Sequence, residues 1–207
     1  MCELLAHRGP DSEGLWSEGL LTFGHRRLAI FDLSAAGNQP MSTTDGRLVV
    51  AFNGAVYNFR ELRSELERRG AVFRSHSDTE VLLHGYRAWG IHELVRRLRG
   101  MFAFALWDKE AQSLALVRDR LGVKPLVYAE LGGVLLFAST VRALRATGLV
   151  TQTDPHGVTE FLEQGYVPDF GCIYEGVRKL PGGVHWFVEA SKSMEITRYW
   201  EPAATRE

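Results

Sequence analysis

Between Met101 and Arg118 the chain carries one alternation twice, across a short polar break. In an extended chain Phe102, Phe104 and Leu106 fall on one face and Ala103, Ala105 and Trp107 on the other. After the polar turn at residues 108–112, Leu114 and Leu116 lie opposite Ala115 and Val117. Two strands joined so closely form a hairpin. Both faces of both strands are apolar, so the hairpin needs cover on each side, which excludes a sheet with one wet face. Further strands are predicted at residues 21–25, 47–52, 125–129, 134–138, 183–189 and 194–200.

Helical periodicity is rarer. Asn58 can cap a helix over residues 59–69, with Phe59, Leu62 and Leu66 on one stripe and Gly70 past its end. Ser77 or Asp78 can cap a second over residues 79–89, which Gly90 ends before a basic piece at 91–99, and residues 156–164 form a fourth. Few helices with many hairpin-linked strands predict an α+β fold of stacked antiparallel sheets. No repeat or linker-like tract interrupts the 207 residues, so a single domain is predicted.

Charge and composition narrow the function. The 24 basic and 25 acidic residues leave a net charge of -1, without the clustered positive field that nucleic acid or an anionic membrane surface requires. No apolar run reaches the ~18 residues of a membrane span, and residues 1–9 lack the pattern of a signal peptide. Two cysteines, Cys2 and Cys172, cannot build a disulfide framework or a zinc site. A cytoplasmic protein with no metal site is expected, with Cys172 a buried thiol.

Polar residues gather beside glycine in four segments: His7-Arg8-Gly9-Pro10-Asp11, His25-Arg26-Arg27-Leu28, Phe52-Asn53-Gly54-Ala55-Val56-Tyr57-Asn58 and Ser77-Asp78-Thr79-Glu80. Taken singly, Asn53-Gly54 reads as a turn, Asp78 as a helix cap, Arg26 and Arg27 as solvated charges. Together, and in order with Gln39-Pro40-Met41, residues 100–108, residues 118–126, Phe137-Ala138-Ser139, residues 165–168, residues 179–183 and Tyr199-Trp200, they resemble one family. The chain is similar to the glutamine-hydrolysing domain of asparagine synthetase, a class II glutamine amidotransferase of the N-terminal-nucleophile hydrolase superfamily.

The resemblance implies a four-layer αββα sandwich of two mainly antiparallel sheets over residues 1–200, with 201–207 a tail leading toward a synthetase domain outside this chain. It implies a cysteine nucleophile, matched by Cys2, which attacks the side-chain amide of L-glutamine with its own α-amino group as base. Asn53 and the Gly54 N–H would form the oxyanion hole, Arg27 would hold the substrate carboxylate, and Asp78 its ammonium. Leu28, Ala29, Ile30 and Phe31 would continue the strand along the pocket beside Ala55. Ammonia would pass to an ATP-dependent synthetase domain or subunit, to which ATP and magnesium belong, so no cofactor is expected in this chain. A homodimer is left open.

Three features depart from the family pattern. Only four residues separate Cys2 from His7, too few for the ~5–6 residues of a strand, and Met1, Leu4 and Leu5 have helical spacing. Cys2 is therefore expected on a helical turn, with the nucleophile strand missing in front. Ala55 stands where the family has Glu, which removes a charge-assisted contact to the ammonium. Thr140 replaces a usual Glu, with no role assigned. The function expected is glutamine hydrolysis for transfer to an acceptor carboxylate. The alternatives are a catalytically silent module that partners a separate synthetase, and a chain with a mis-called start and an unpaired sheet edge.

Overall fold

The computed structural model describes residues 1–168, 171–189 and 195–203. After a 3-10 turn at Cys2–Leu5, the chain forms β1 (Ser12–Glu18), β2 (Leu21–Arg27), β3 (Met41–Ser42), β4 (Leu48–Val56), α1 (Phe59–Arg68), α2 (Thr79–Arg97), β5 (Gly100–Asp108) and β6 (Ser113–Arg118). Then follow β7 (Val127–Leu131), β8 (Val134–Ala138), α3 (Val141–Arg145), α4 (Pro155–Gln164), β9 (Val177–Lys179), β10 (Val184–Glu189) and β11 (Glu195–Arg198). Among the described residues no helix is long and apolar enough to cross a membrane.

The mixed α and antiparallel β content matches the expectation. The strands form a six-stranded sheet in the order β11-β10-β6-β5-β4-β3, a three-stranded sheet β8-β7-β9 and the hairpin β1-β2. The predicted hairpin is β5–β6, with Leu106 opposite Ala115 and Trp107 opposite Leu114. Its two faces are covered as its apolar pattern requires. Phe102, Phe104 and Leu106 pack with Leu62 and Leu66 of α1 and Leu82 and Leu94 of α2. Ala103 and Ala105 pack, with Leu116 and Trp186, against Phe23 of β2 and Tyr128 of β7. A third cluster joins Val127, Ala129 and Val177 to Leu144 of α3 and the buried Cys172.

Local expectations fared unevenly. Gly90 interrupts α2 with φ 70° and ψ 175°, as its position predicted. Asn58 begins α1 but does not cap it; its amide instead holds Arg97 O at 3.0 Å and Arg99 N at 2.9 Å, tying the start of α1 to the end of α2. Asp78 stands at the N-cap position of α2 but its side chain makes no capping bond, and Ser77 Oγ, one residue earlier, accepts from Thr79 N at 3.1 Å. Asp154 caps α4, one residue earlier than predicted. β1 was not predicted, because its only large apolar residues, Leu15 and Trp16, are adjacent and mark no single face. Met194, in the last predicted strand, and residues 204–207 of the expected tail lie outside the described residues. Thr140 acquires a role: its hydroxyl accepts from Ala143 N and caps α3.

Buried carboxylates shape the loops around the site. Asp119 accepts from the N–H groups of Phe102 (3.2 Å), Leu121 (3.1 Å), Val123 (2.9 Å) and Lys124 (2.9 Å). Asp32 takes Ser34 through one oxygen and His76 N, at 2.8 Å, through the other, joining the loop after β2 to the loop before α2. Glu80 takes the N–H groups of Arg74 and Ser75 and the Ser75 hydroxyl.

Asp119→Ala leaves four amide donors without their acceptor. At ~1 kcal/mol or more each, urea unfolding should show at least ~3 kcal/mol lost, and a loss below ~1 kcal/mol would contradict this role. The pH dependence of stability follows from the other two. The Ser34 hydroxyl and the His76 N–H pull Asp32 from 3.8 to about 2. Burial pushes Glu80 up, but hydrogen bonds from His84, Ser75 and Arg74 outweigh it and hold the carboxyl at about 2. Both folded values lie below the unfolded ones, so this stabilisation is present above about pH 4.5 and is lost as pH falls toward 2. Denaturant midpoints measured across that window should fall steeply in the wild type and less steeply in Asp32→Asn.

Candidate functional site

Strand β4 has a partner along only part of its outer side. β5 pairs with it from Leu48 to Val56, but β3 meets only Val49 and Val50. In an antiparallel ladder the N–H and C=O of one residue point to the same side, alternating along the strand. Phe102, opposite Gly54, donates its N–H to the Asp119 carboxylate and accepts the Asp119 N–H on its C=O. The backbone groups of Phe52, Gly54 and Val56 therefore turn away from β5, past the end of β3. Phe52 N is taken by Gln39 Oε1 at 2.6 Å and Val56 N by Asp78 Oδ2 at 2.8 Å. The Gly54 N–H between them has no partner among the described residues. Only glycine serves at 54: φ is 152°, and a Cβ would collide with the Met101 carbonyl.

This free N–H opens on a cavity of about 410 Å³. Arg27, Leu28, Ile30, Phe31, Asn53, Gly54 and Asp78, all singled out from the sequence, line it. Ala29 and Ala55 do not: Ala29 gives its N–H to Asp11 at 2.8 Å, and Ala55 is buried in the ladder opposite Met101. β2 also ends at Arg27, so residues 28–31 form a loop and not the predicted continuation of the strand. The loop is wrapped around the Arg27 guanidinium, whose Nη1 donates to Ser34 O (2.9 Å) and Asn38 Oδ1 (2.8 Å) and whose Nη2 donates to Asp32 O. Of its five N–H groups, Nε–H and one on Nη2 have no partner among the described residues. Nε and Nη2 share one edge of the fork, the edge that can receive a carboxylate side-on.

Asp78 supplies the opposite charge. It is 4% exposed, and no cationic side chain among the described residues pairs with it. Burial pushes its pKa up, against hydrogen bonds from Val56 and its own turn. A buried carboxylate in that state favours a cation brought by a ligand.

A second, larger cavity of about 670 Å³ lies alongside, with mostly apolar walls such as Leu15, Leu21, Ala103, Leu126 and Phe137. Cys2 lines this one and not the first. It sits on a helical turn, of the 3-10 type, with Sγ against Gly24; a Cβ at 24 would strike the sulfur. Burial, and then Glu13, raise its thiol pKa against the pull of the N-terminus and Arg26. Gly24, His25, Phe52, Asn53 and Ser139 border both cavities. Cys2 and Asn53 thus share a wall, whereas Cys2 and the Arg27–Asp78 pair do not.

Gln39, His25, Ser77 and Ser139 belong to the sequence motifs, yet nothing in the sequence gives Gln39, His25 or Ser139 a task at the site. No periodicity marks Gln39, His25 or Ser139, since each acts through contacts to distant groups or through a shared cavity wall. His25 Nε2 lies 2.9 Å from Phe52 O.

Comparisons with known proteins agree with this architecture. The family described as "Glutamine amidotransferase domain" matches residues 1–200. "Asparagine synthetase [glutamine-hydrolyzing] 3" of Bacillus subtilis is 38% identical over 205 residues, which cover 97% of this chain and 33% of that protein. A "Putative asparagine synthetase [glutamine-hydrolyzing]" of Mycobacterium bovis is 39% identical, over 96% of this chain and 32% of the relative. The chain therefore spans about a third of the length of these relatives. Among solved structures, the glutamine phosphoribosylpyrophosphate amidotransferase of B. subtilis, complexed with ADP and GMP, superposes with a TM-score of 0.65 at 23% identity, over 87% of this chain and 35% of that one. That likeness concerns the fold. With a match along residues 1–200 and relatives at this identity, the chain belongs to the glutamine amidotransferase domain family.

Proposed function

We propose that the smaller cavity binds L-glutamine and that the chain acts as the glutamine-handling part of an amidotransferase, supplying ammonia to an acceptor carboxylate through an ATP-dependent synthetase domain or subunit. ATP and magnesium would serve that partner. The observation that carries this is the buried Asp78 carboxylate without a cation, in the same cavity as a guanidinium with one fork edge free. An α-amino acid offers both complements, an ammonium for Asp78 and a carboxylate for Arg27. Its side chain would then extend toward Gly54 and Asn53, whose N–H groups suit a carbonyl that gains negative charge during attack.

Hydrolysis needs a thiolate at that carbonyl, and Cys2 reaches the region only from the other cavity. Its raised pKa keeps it protonated at neutral pH, so attack requires a base to take the thiol proton. These two observations favour a second reading, a glutamine-binding module without turnover, in which Ala55 has replaced the carboxylate that the family pattern carries. Ammonia release from glutamine that disappears in Cys2→Ala would establish the hydrolytic reading; equal release in both, or none, would establish the silent one.

Calorimetry with L-glutamine tests the binding itself. Arg27→Ala and Asp78→Asn should each weaken it by roughly ten- to a hundredfold, the range of one charge-assisted bond. Failure of the wild type to bind glutamine would sink the proposal. Asp78→Asn should also act on stability with the opposite sign. The folded pKa of Asp78 is raised, so the charged form costs stability as pH rises through that value. An Asn keeps the acceptor for Val56 N and removes the charge. Without ligand, this variant should unfold at equal or higher urea than the wild type near pH 7.

A further inference from the structure

His25 and Asn53 stand side by side where the two cavities meet, and each holds a buried polar atom without a hydrogen-bond partner: His25 Nδ1 and Asn53 Nδ2. Their neighbourhood is set by the backbone, because His25 Nε2 binds the carbonyl of Phe52, the residue before Asn53. A carbonyl oxygen only accepts, so Nε2 carries the proton. Burial, the largest influence, and Arg27 lower the imidazole pKa and keep the ring neutral, against the Phe52 bond. Nδ1 is then a bare lone pair, an acceptor. Asn53 Nδ2 is a donor. An unmet donor and an unmet acceptor together are complementary to a primary carboxamide, whose oxygen accepts and whose nitrogen donates.

We infer that His25 is a specificity-determining residue that receives the N–H of the glutamine side-chain amide on Nδ1, while Asn53 donates to the amide oxygen. This rests on the glutamine reading of the smaller cavity and adds a reason for amide over ester or acid. A carboxylate or an ester offers the lone pair no proton, and a buried acceptor facing an acceptor is penalised. Desolvation of both atoms before the ligand arrives makes the discrimination sharper than it would be in water.

The test compares L-glutamine with L-glutamate γ-methyl ester, which matches it closely in shape but lacks the N–H, by calorimetry in a Cys2→Ala background so that neither is consumed. The parent should prefer glutamine by about tenfold, the worth of one hydrogen bond with its unmet alternative. His25→Phe, which keeps a ring and loses both nitrogens, should bring the ratio close to one. Nitrogen-15 NMR of the parent supplies a measurement that does not depend on the variant folding. The Nδ1 resonance should be that of an unprotonated nitrogen and should move upfield with glutamine but not with the ester. An unchanged preference in a folded His25→Phe, or an Nδ1 resonance indifferent to glutamine, would overturn the role of His25 and leave glutamine binding intact. Absence of binding for both ligands would instead overturn the glutamine reading and this inference with it.

Discussion

The site depends on β4 being paired fully on one side and only briefly on the other. β3 contributes two residues, and beyond them the backbone groups of Phe52, Gly54 and Val56 face away from β5 with no strand to meet them. Exposed strand edges ordinarily recruit further backbone. Here side chains from three other segments occupy the edge: Gln39 on Phe52 N, His25 on Phe52 O and Asp78 on Val56 N. The one donor they leave is the N–H of Gly54. Every other feature of the cavity is placed relative to that N–H, because the side chains that close the edge also line the walls.

Electrostatics follow from how these walls are built. Arg27 is held by two backbone carbonyls and the Asn38 amide oxygen of its own following loop, and it interacts electrostatically with the Asp32 carboxylate of that loop. Asp32 then ties this loop to the segment carrying Asp78. Arg27 and Asp78 are thus buried in the walls of one small cavity, each held at a different strand end, with the Asp32 carboxylate also in the wall. Uncompensated buried charge is costly, and a zwitterionic ligand that meets both relieves the cost at two points. On the proposed glutamine reading, selectivity for the far end of the ligand falls to neutral groups, Asn53, Gly54 and His25, in a region bordered by apolar walls.

Cys2 shows how position and chemical readiness separate. The 3-10 turn brings its sulfur against Gly24, next to His25, so that the thiol and Asn53 line one cavity. Its environment, half-buried and close to Glu13, favours the protonated thiol, unlike the electropositive setting of an activated cysteine. On the proposed reading, the pocket for an amino acid is consequently more complete than the machinery for cleaving one.

Much of the fold was legible because it rests on local pattern: the β5–β6 hairpin from its doubled alternation, α1 from Leu62 and Leu66, the break in α2 from Gly90. Strand β1 was not, since Leu15 and Trp16 are neighbours and its pairing with β2 is decided by contacts outside the strand. The motifs located Arg27, Asn53, Gly54 and Asp78, and they do border one cavity. What residue order by itself determined is which segments are extended or helical and which carry polar groups beside glycine. Only the tertiary structure decided which of those groups are left without partners, because whether Gly54 N–H, an Arg27 edge or His25 Nδ1 is satisfied depends on chain segments up to tens of residues away meeting, or failing to meet, the same few atoms.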